Sequence, residues 1–192
     1  MLENDKEFLG KYISDGIEAR RAIEVSGIMT VSEILFDRLK KGGKLITFGN
    51  GGSAADAQHF AAEFSGRFMK ERKSFPAVAL TTNSSSLTAI GNDYDFSKVF
   101  SRQIEGLCSK DDFVVGISTS GNSPNVVEGI RSAKLAGAYT LALTGRDGGK
   151  IKNVADYCIK VNSNSTPIIQ ESHIAIIHMI CYAFDTLLEK LQ

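Results

Sequence analysis

The 192 residues contain three histidines, His59, His173 and His178, and all fall in two short segments that also carry carboxylates or amides. His59 and Glu63 form HxxxE, and at i,i+4 on a helix two such side chains stand one turn apart on the same face. An imidazole and a carboxylate so placed can hold one metal ion. The second segment reads Gln170-Glu171-Ser172-His173 and continues to His178. On a helix Glu171 and His178 share a face, while Gln170 lies about 80° off it and about 12 Å along the axis from His178. Spacing alone therefore favours Glu171 over Gln170 as the partner of His178. His173 reads as a core histidine with one nitrogen satisfied. HxxxE by itself is also compatible with packed or surface side chains. The metal reading gains weight because polar groups clustered on apolar helices need partners.

Two loops could hold an anion. Gly49-Asn50-Gly51-Gly52-Ser53 lies between an apolar run and a helix expected to begin near Ser53. Glycines there allow a sharp turn and close approach to a ligand, and the free N–H groups of the following helix favour negative charge. The loop matches neither GxGxxG nor GxxxxGK[ST], so neither a dinucleotide nor a nucleoside triphosphate is indicated. A tight turn with Ser53 as N-cap would account for the same residues. The second loop, Ser118-Thr119-Ser120-Gly121-Asn122-Ser123, carries the stronger signal. Hydroxyls at Ser118, Thr119, Ser120 and Ser123 crowd the C-terminal end of a strand, ahead of Pro124, a good first helical residue. Hydroxyls and helix N–H groups together can hold a phosphate dianion without a lysine. A capped turn would need only one of them.

The elements that position these loops follow from periodicity. Two helices open the chain, about Asp5–Glu24 and Thr30–Lys41, the second stopped by Gly42-Gly43. Five short apolar runs follow: Leu45–Phe48, Ala77–Leu80, Phe113–Ile117, Tyr139–Leu143 and Tyr157–Val161. Spacings of tens of residues leave room for crossover helices, which predicts a parallel sheet with helices on both faces, an α/β/α sandwich. A last helix is expected over about Pro167–Lys190. Composition narrows the rest. Hydrophobic residues make up 43% and charged residues 23%, and the formal net charge is zero, which disfavours a nucleic-acid partner held by bulk charge. The three cysteines, Cys108, Cys158 and Cys181, form no CxxC pair and read as thiols of a reducing compartment. Met1–Gly10 has no signal-peptide run, and no membrane span is expected, so the predicted location is the cytoplasm.

The stretch from Gly49 to Glu63 closely resembles the phosphoheptose isomerases, as do Gly91-Asn92-Asp93, Gly116–Ser123 and Gln170–His173. The likeness runs in order over nearly the whole chain. The resemblance implies the sugar isomerase (SIS) fold, with five parallel strands between helices, in one domain spanning 1–192. It implies conversion of sedoheptulose 7-phosphate to a manno-heptose 7-phosphate on the way to activated heptoses of bacterial surface polysaccharide. It further implies one zinc ion per subunit, held by His59, Glu63, Gln170 and His178. Substrate contacts would come from Asn50, Gly51, Gly52, Ser53, Glu63, Asn92, Asp93, Ser118, Thr119, Ser120, Ser123 and Gln170. The family thus places Gln170 where spacing places Glu171. An unwound first turn of the last helix, or ligands from two subunits, would reconcile them.

In such a reaction Glu63 is expected to serve as the carbon base, since a desolvated carboxylate suits that task, and His178 to move protons at the oxygens. The alternatives are non-catalytic relatives: one that associates with a replication initiator and lacks the acidic residue and last histidine, and one that senses sugar phosphates. Glu63 and His178 are both present here, and no DNA-binding segment is visible. The apolar stripe Phe8, Leu9, Tyr12, Ile13, Ile17 on the first helix, and a last helix apolar on more than one side, point to subunit contacts. The resemblance implies a homotetramer with sites at subunit boundaries, the opening helices (about 1–41) serving its packing.

Overall fold

The computed structural model describes residues 2–190. Met1, Leu191 and Gln192, the extreme ends of the 1–192 span expected from sequence, lie outside the described residues. All five apolar runs are strands: β1 (Leu45–Gly49), β2 (Ala77–Ala79), β3 (Phe113–Ser118), β4 (Tyr139–Gly145) and β5 (Tyr157–Val161). They form one parallel sheet in the order β2-β1-β3-β4-β5, with Leu45 opposite both Ala77 and Phe113, and Phe113 opposite Tyr139. The runs are continuously apolar because both faces of the sheet are covered. Leu45, Val115, Ile117, Leu141 and Leu143 enter one core, and Ile46, Phe48, Val114 and Ala142 the other.

The first core is closed by α1 (Leu2–Arg21), α2 (Val25–Lys40), α3 (Gly52–Ser65) and α7 (Thr166–Glu189). The second is closed by α4 (Ser84–Asp93), α5 (Ser101–Leu107) and α6 (Pro124–Leu135). The result is the expected α/β/α sandwich. α2 begins five residues earlier than periodicity suggested. Gly27 is not a breaker there. A Cβ on it would lie 2.5 Å from the Tyr157 hydroxyl, so its bare Cα is where the helix meets β5.

α7 corrects a second expectation. Its apolar circumference does not call for a neighbouring subunit, because α1, α2 and α3 of the same chain pack on it. Ile169, Ile176, Ile177, Ile180 and Phe184 are all fully buried within the chain. The surplus apolar surface lies instead on α1, where Phe8 and Ile13 are 69% and 62% exposed, with Leu9 and Ile17 beside them. Tyr182, Val25 and Met29 add a second exposed apolar patch.

His173 is the packed core histidine the sequence suggested. Its Nε2 lies 3.1 Å from the Thr144 carbonyl oxygen and its Nδ1 is buried without a partner. Burial pushes its pKa down to about 4, the bond to Thr144 partly opposing. The unfolded chain would take up this proton near pH 6.5. Between about pH 6.5 and 4 the unfolded state therefore binds the proton that the folded state refuses, and stability falls as pH falls through that window. The loss should reach about 2–3 kcal/mol by pH 4. The raised carboxyl of Asp56 acts in the opposite sense over the same window in both proteins, so urea unfolding at pH 7 and pH 5 should show the effect as a steeper acid loss in wild type than in His173→Gln, which keeps a donor for Thr144. Equal pH slopes in the two proteins would show that another group carries the acid sensitivity.

Candidate active site

In a doubly wound sheet the winding direction reverses at one point, and ligands bind outside the carboxyl ends of the strands there. The order β2-β1-β3-β4-β5 places that point between β1 and β3. The loops that leave these two strands are the two glycine- and hydroxyl-rich segments singled out from sequence.

In the first loop the helix starts at Gly52, not Ser53. Gly51 is the N-cap, with φ of 56°, and Ser53 is buried inside the first turn, so its hydroxyl is not the cap the sequence suggested. Gly51 is exposed. Gly52 lies against α7: a Cβ there would come within 2.6 Å of Gln170 Nε2, so the glycine leaves that amide room to lie against the loop. The Asn50 amide is paired reciprocally with that of Asn125, at 2.8 and 2.9 Å. Asn125 is buried at the start of α6, and this pair, missed from sequence, ties the first loop to the second.

In the second loop Ser123 is the N-cap of α6 by position, but its hydroxyl makes no capping bond. It lies 3.0 Å from the Ser118 hydroxyl. The hydroxyls are therefore not consumed by the helix, as they would be in a plain capped turn. Ser120 Oγ accepts from the Asn122 N–H at 3.2 Å, which leaves its O–H free to donate. Thr119 is half-buried beside it, its carbonyl accepting from the Gly145 N–H.

α3 and α7 both descend from this rim, and their facing sides bring three side chains together. The candidate ligand atoms of His59, Glu63 and His178 all lie within 4.8 Å of one another. His59 Nε2 and Glu63 Oε1 are 2.8 Å apart. The rings of His59 and His178 meet edge to face at 5.2 Å, and Phe68 stacks on His178 at 5.7 Å. Two imidazoles and a carboxylate are the donor set of a catalytic zinc site, which keeps a further position open. The set fits such an ion.

Gln170 does not join this cluster along its own helix. α7 is regular from Thr166 to Glu189, so the unwound turn considered from sequence is absent. Eight residues of unbroken helix put Gln170 about 12 Å above His178. Glu171, favoured by spacing, is engaged elsewhere: it accepts a hydrogen bond from the Tyr12 hydroxyl of α1. Asn92 and Asp93 sit in the exposed last turn of α4, where the Asn92 amide donates to Asp93 at 2.9 Å. Among the described residues no hydrogen bond ties them to the loops or the triad.

Asp56, one turn before His59, was also missed. Its Oδ2 is buried without a hydrogen-bond partner. Burial pushes its carboxyl up to about 6, against the pull of His59. The signal was present in the spacing, since residues 56, 59 and 63 lie along one stripe of α3.

The chain matches the SIS domain family over residues 10–145. It is 57% identical over 175 residues to a protein of Thermoplasma acidophilum named "Probable phosphoheptose isomerase", covering 91% of this chain and 96% of that one. It is 53% identical over 173 residues to the phosphoheptose isomerase of Geobacter sulfurreducens, covering 90% and 89%. The solved phosphoheptose isomerase of Neisseria gonorrhoeae superposes with a TM-score of 0.88 at 44% identity, covering 94% of this chain and 98% of that one.

Proposed function

The chain belongs to the SIS domain family, and from that membership we infer that it is an aldose–ketose isomerase converting sedoheptulose 7-phosphate to D-glycero-D-manno-heptose 7-phosphate. The observation that carries the reading is the convergence of His59, Glu63 and His178 beneath two anion-accepting loops in a chain of this family. Incubating the purified protein with sedoheptulose 7-phosphate and identifying the product tests it. Recovery of unchanged ketose would overturn it. The heptose would feed a surface polysaccharide such as lipopolysaccharide or capsule. No helix among the described residues is long and apolar enough to cross a membrane, and we place the enzyme in the cytoplasm.

Moving a carbonyl from C2 to C1 needs a proton to leave C1 and return at C2, and a proton to pass from O1 to O2. Glu63 takes and returns the carbon-bound proton, and His178, through the ring nitrogen not given to the metal, moves the proton between the oxygens. His59, Glu63 and His178 would hold zinc, one ion per subunit, with Gln170 as a further ligand. When bound, zinc supplies polarisation of the carbonyl and stabilisation of the enediolate charge. A ligating carboxylate is a weaker base. Glu63 has two oxygens for its two tasks, and Oε1 is the one turned toward His59. The hydroxyls of Ser118, Thr119, Ser120 and Ser123, with the loop Asn50–Ser53, hold the phosphate and the sugar and so orient the reacting end. About 10 Å of α3 separates Gly52 from His59, comparable with an extended seven-carbon chain.

Ser120→Ala should weaken sugar-phosphate binding by about 1–3 kcal/mol, since the dianion loses a donor. Calorimetric titration reads this directly, and unchanged affinity would favour a purely structural turn.

The distance from Gln170 to His178, and the exposed positions of Asn92 and Asp93, support a site completed by a second copy. The exposed stripe on α1 supplies apolar surface for the assembly, which we take to be a homotetramer packed through its N-terminal helices. Mixing inactive Gln170→Ala and His178→Ala subunits should restore part of the activity. No recovery after exchange of subunits would count against shared sites.

A further inference from the structure

One buried charge pair near the triad has no part in the chemistry described so far. Arg72, in the segment between α3 and β2, and Asp185, on α7, are 3% and 4% exposed. The guanidinium reaches two helices, and Nη1 also donates to the neighbouring Lys73 carbonyl at 3.3 Å. Nε donates to Asp185 Oδ1 at 2.9 Å, Nη2 to the Glu63 carbonyl at 2.7 Å and Nη1 to the Phe64 carbonyl at 3.3 Å. Its faces lie against the rings of Phe64, Phe75 and Phe184, 5.2–5.8 Å from their centroids. Asp185 is seven residues beyond His178 and so on the same side of α7. Cys181, between them, has its thiol pushed up by burial and then by Glu63 and Asp185, which places this side of α7 against Glu63.

As a cap for the last carbonyls of α3, Arg72 would not need Asp185. As a stabilising device the pair is a poor choice, because apolar residues in place of a buried ion pair often cost nothing. What the pair adds to a cap is a fixed link from the backbone of Glu63 to the helix of His178. We propose that Arg72, held by Asp185, is a positioning residue for Glu63, setting α3 against α7 so that Glu63 and His178 meet at the reacting carbons. This rests on the roles given above to Glu63 and His178.

The test is the double variant Arg72→Met/Asp185→Leu in the full chain, which removes both charges and keeps apolar volume. We expect a thermal midpoint within a few degrees of wild type. The kcat on sedoheptulose 7-phosphate should fall about tenfold or more, with KM within about twofold. Zinc affinity, read by competition with a chromogenic chelator, should fall about tenfold. Arg72→Lys keeps the charge beside Asp185 without the planar fork, should fold, and should move kcat in the same direction; it carries the test if the double variant does not fold. A folded variant with wild-type kcat and zinc affinity overturns the proposal, as does activity lost only in step with the folded fraction. Absence of turnover in the wild-type protein would instead overturn the isomerase reading.

Discussion

Glu63→Gln is expected to remain folded and to turn over sedoheptulose 7-phosphate about 10²-fold more slowly, or worse. The substitution keeps the shape of the side chain. An amide can still reach His59, whose Nε2 is 2.8 Å from the carboxylate oxygen it would replace. The backbone at position 63 is held independently, its carbonyl accepting from Arg72. What is lost is the capacity to accept a proton from carbon, because an amide oxygen is far too weak a base near neutral pH; zinc content measured on the same sample separates this from a weakened metal site. In the function proposed above, the phosphate would be held by the loop Ser118–Ser123, on another element. The loss should therefore fall on kcat, with KM little changed. Solvent deuterium offers a second readout: the wild-type reaction should incorporate label at carbon, and the variant should not. A variant near the wild-type rate would assign the base to another residue.

Much of this site was legible because its parts are local. The strands announce themselves as short apolar runs buried on both faces, and the loops at the ends of β1 and β3 are recognisable from their glycines and hydroxyls. His59 and Glu63 stand one turn apart, and that spacing alone predicts their contact. His178 enters only through the packing of α3 on α7, which a periodicity cannot report. The case of Glu171 shows why. Spacing puts it on the face of His178, but Tyr12 of α1 takes its carboxylate. Which neighbour covers a helical face is decided by chain segments 159 residues apart, not by the helix itself. The same holds for Asn50 with Asn125 and for Arg72 with Asp185, pairs separated by 75 and 113 residues. α4 was not delimited from sequence for a different reason. It buries no residue fully, so it carries little apolar pattern.

His59→Ala should abolish metal binding and with it most of the activity. The wild-type protein is expected to carry about one zinc per chain, with ligand distances near 2.0–2.2 Å for nitrogen and oxygen donors. Within one chain three side chains converge closely enough to share an ion, His59, Glu63 and His178. Removing His59 leaves the site one imidazole and one carboxylate, with the weakly donating Gln170 amide as the only further ligand proposed, a poor match to the nitrogen-rich sets that hold zinc. The fold should survive, because His59 is 44% exposed and contributes no core packing. Elemental analysis of the purified variant, beside a thermal melt, separates loss of metal from loss of structure. Gln170→Ala makes the comparison sharper. Gln170 stands about 12 Å from His178 along an unbroken helix, too far to reach the same ion from its own chain. If Gln170→Ala also lowers zinc content, its amide must act on the triad of a second copy. If it lowers only substrate affinity, Gln170 serves the sugar from its place beside Gly52. A metal-free wild-type preparation with full turnover would remove zinc from the reaction and leave Glu63 and His178 to carry it alone.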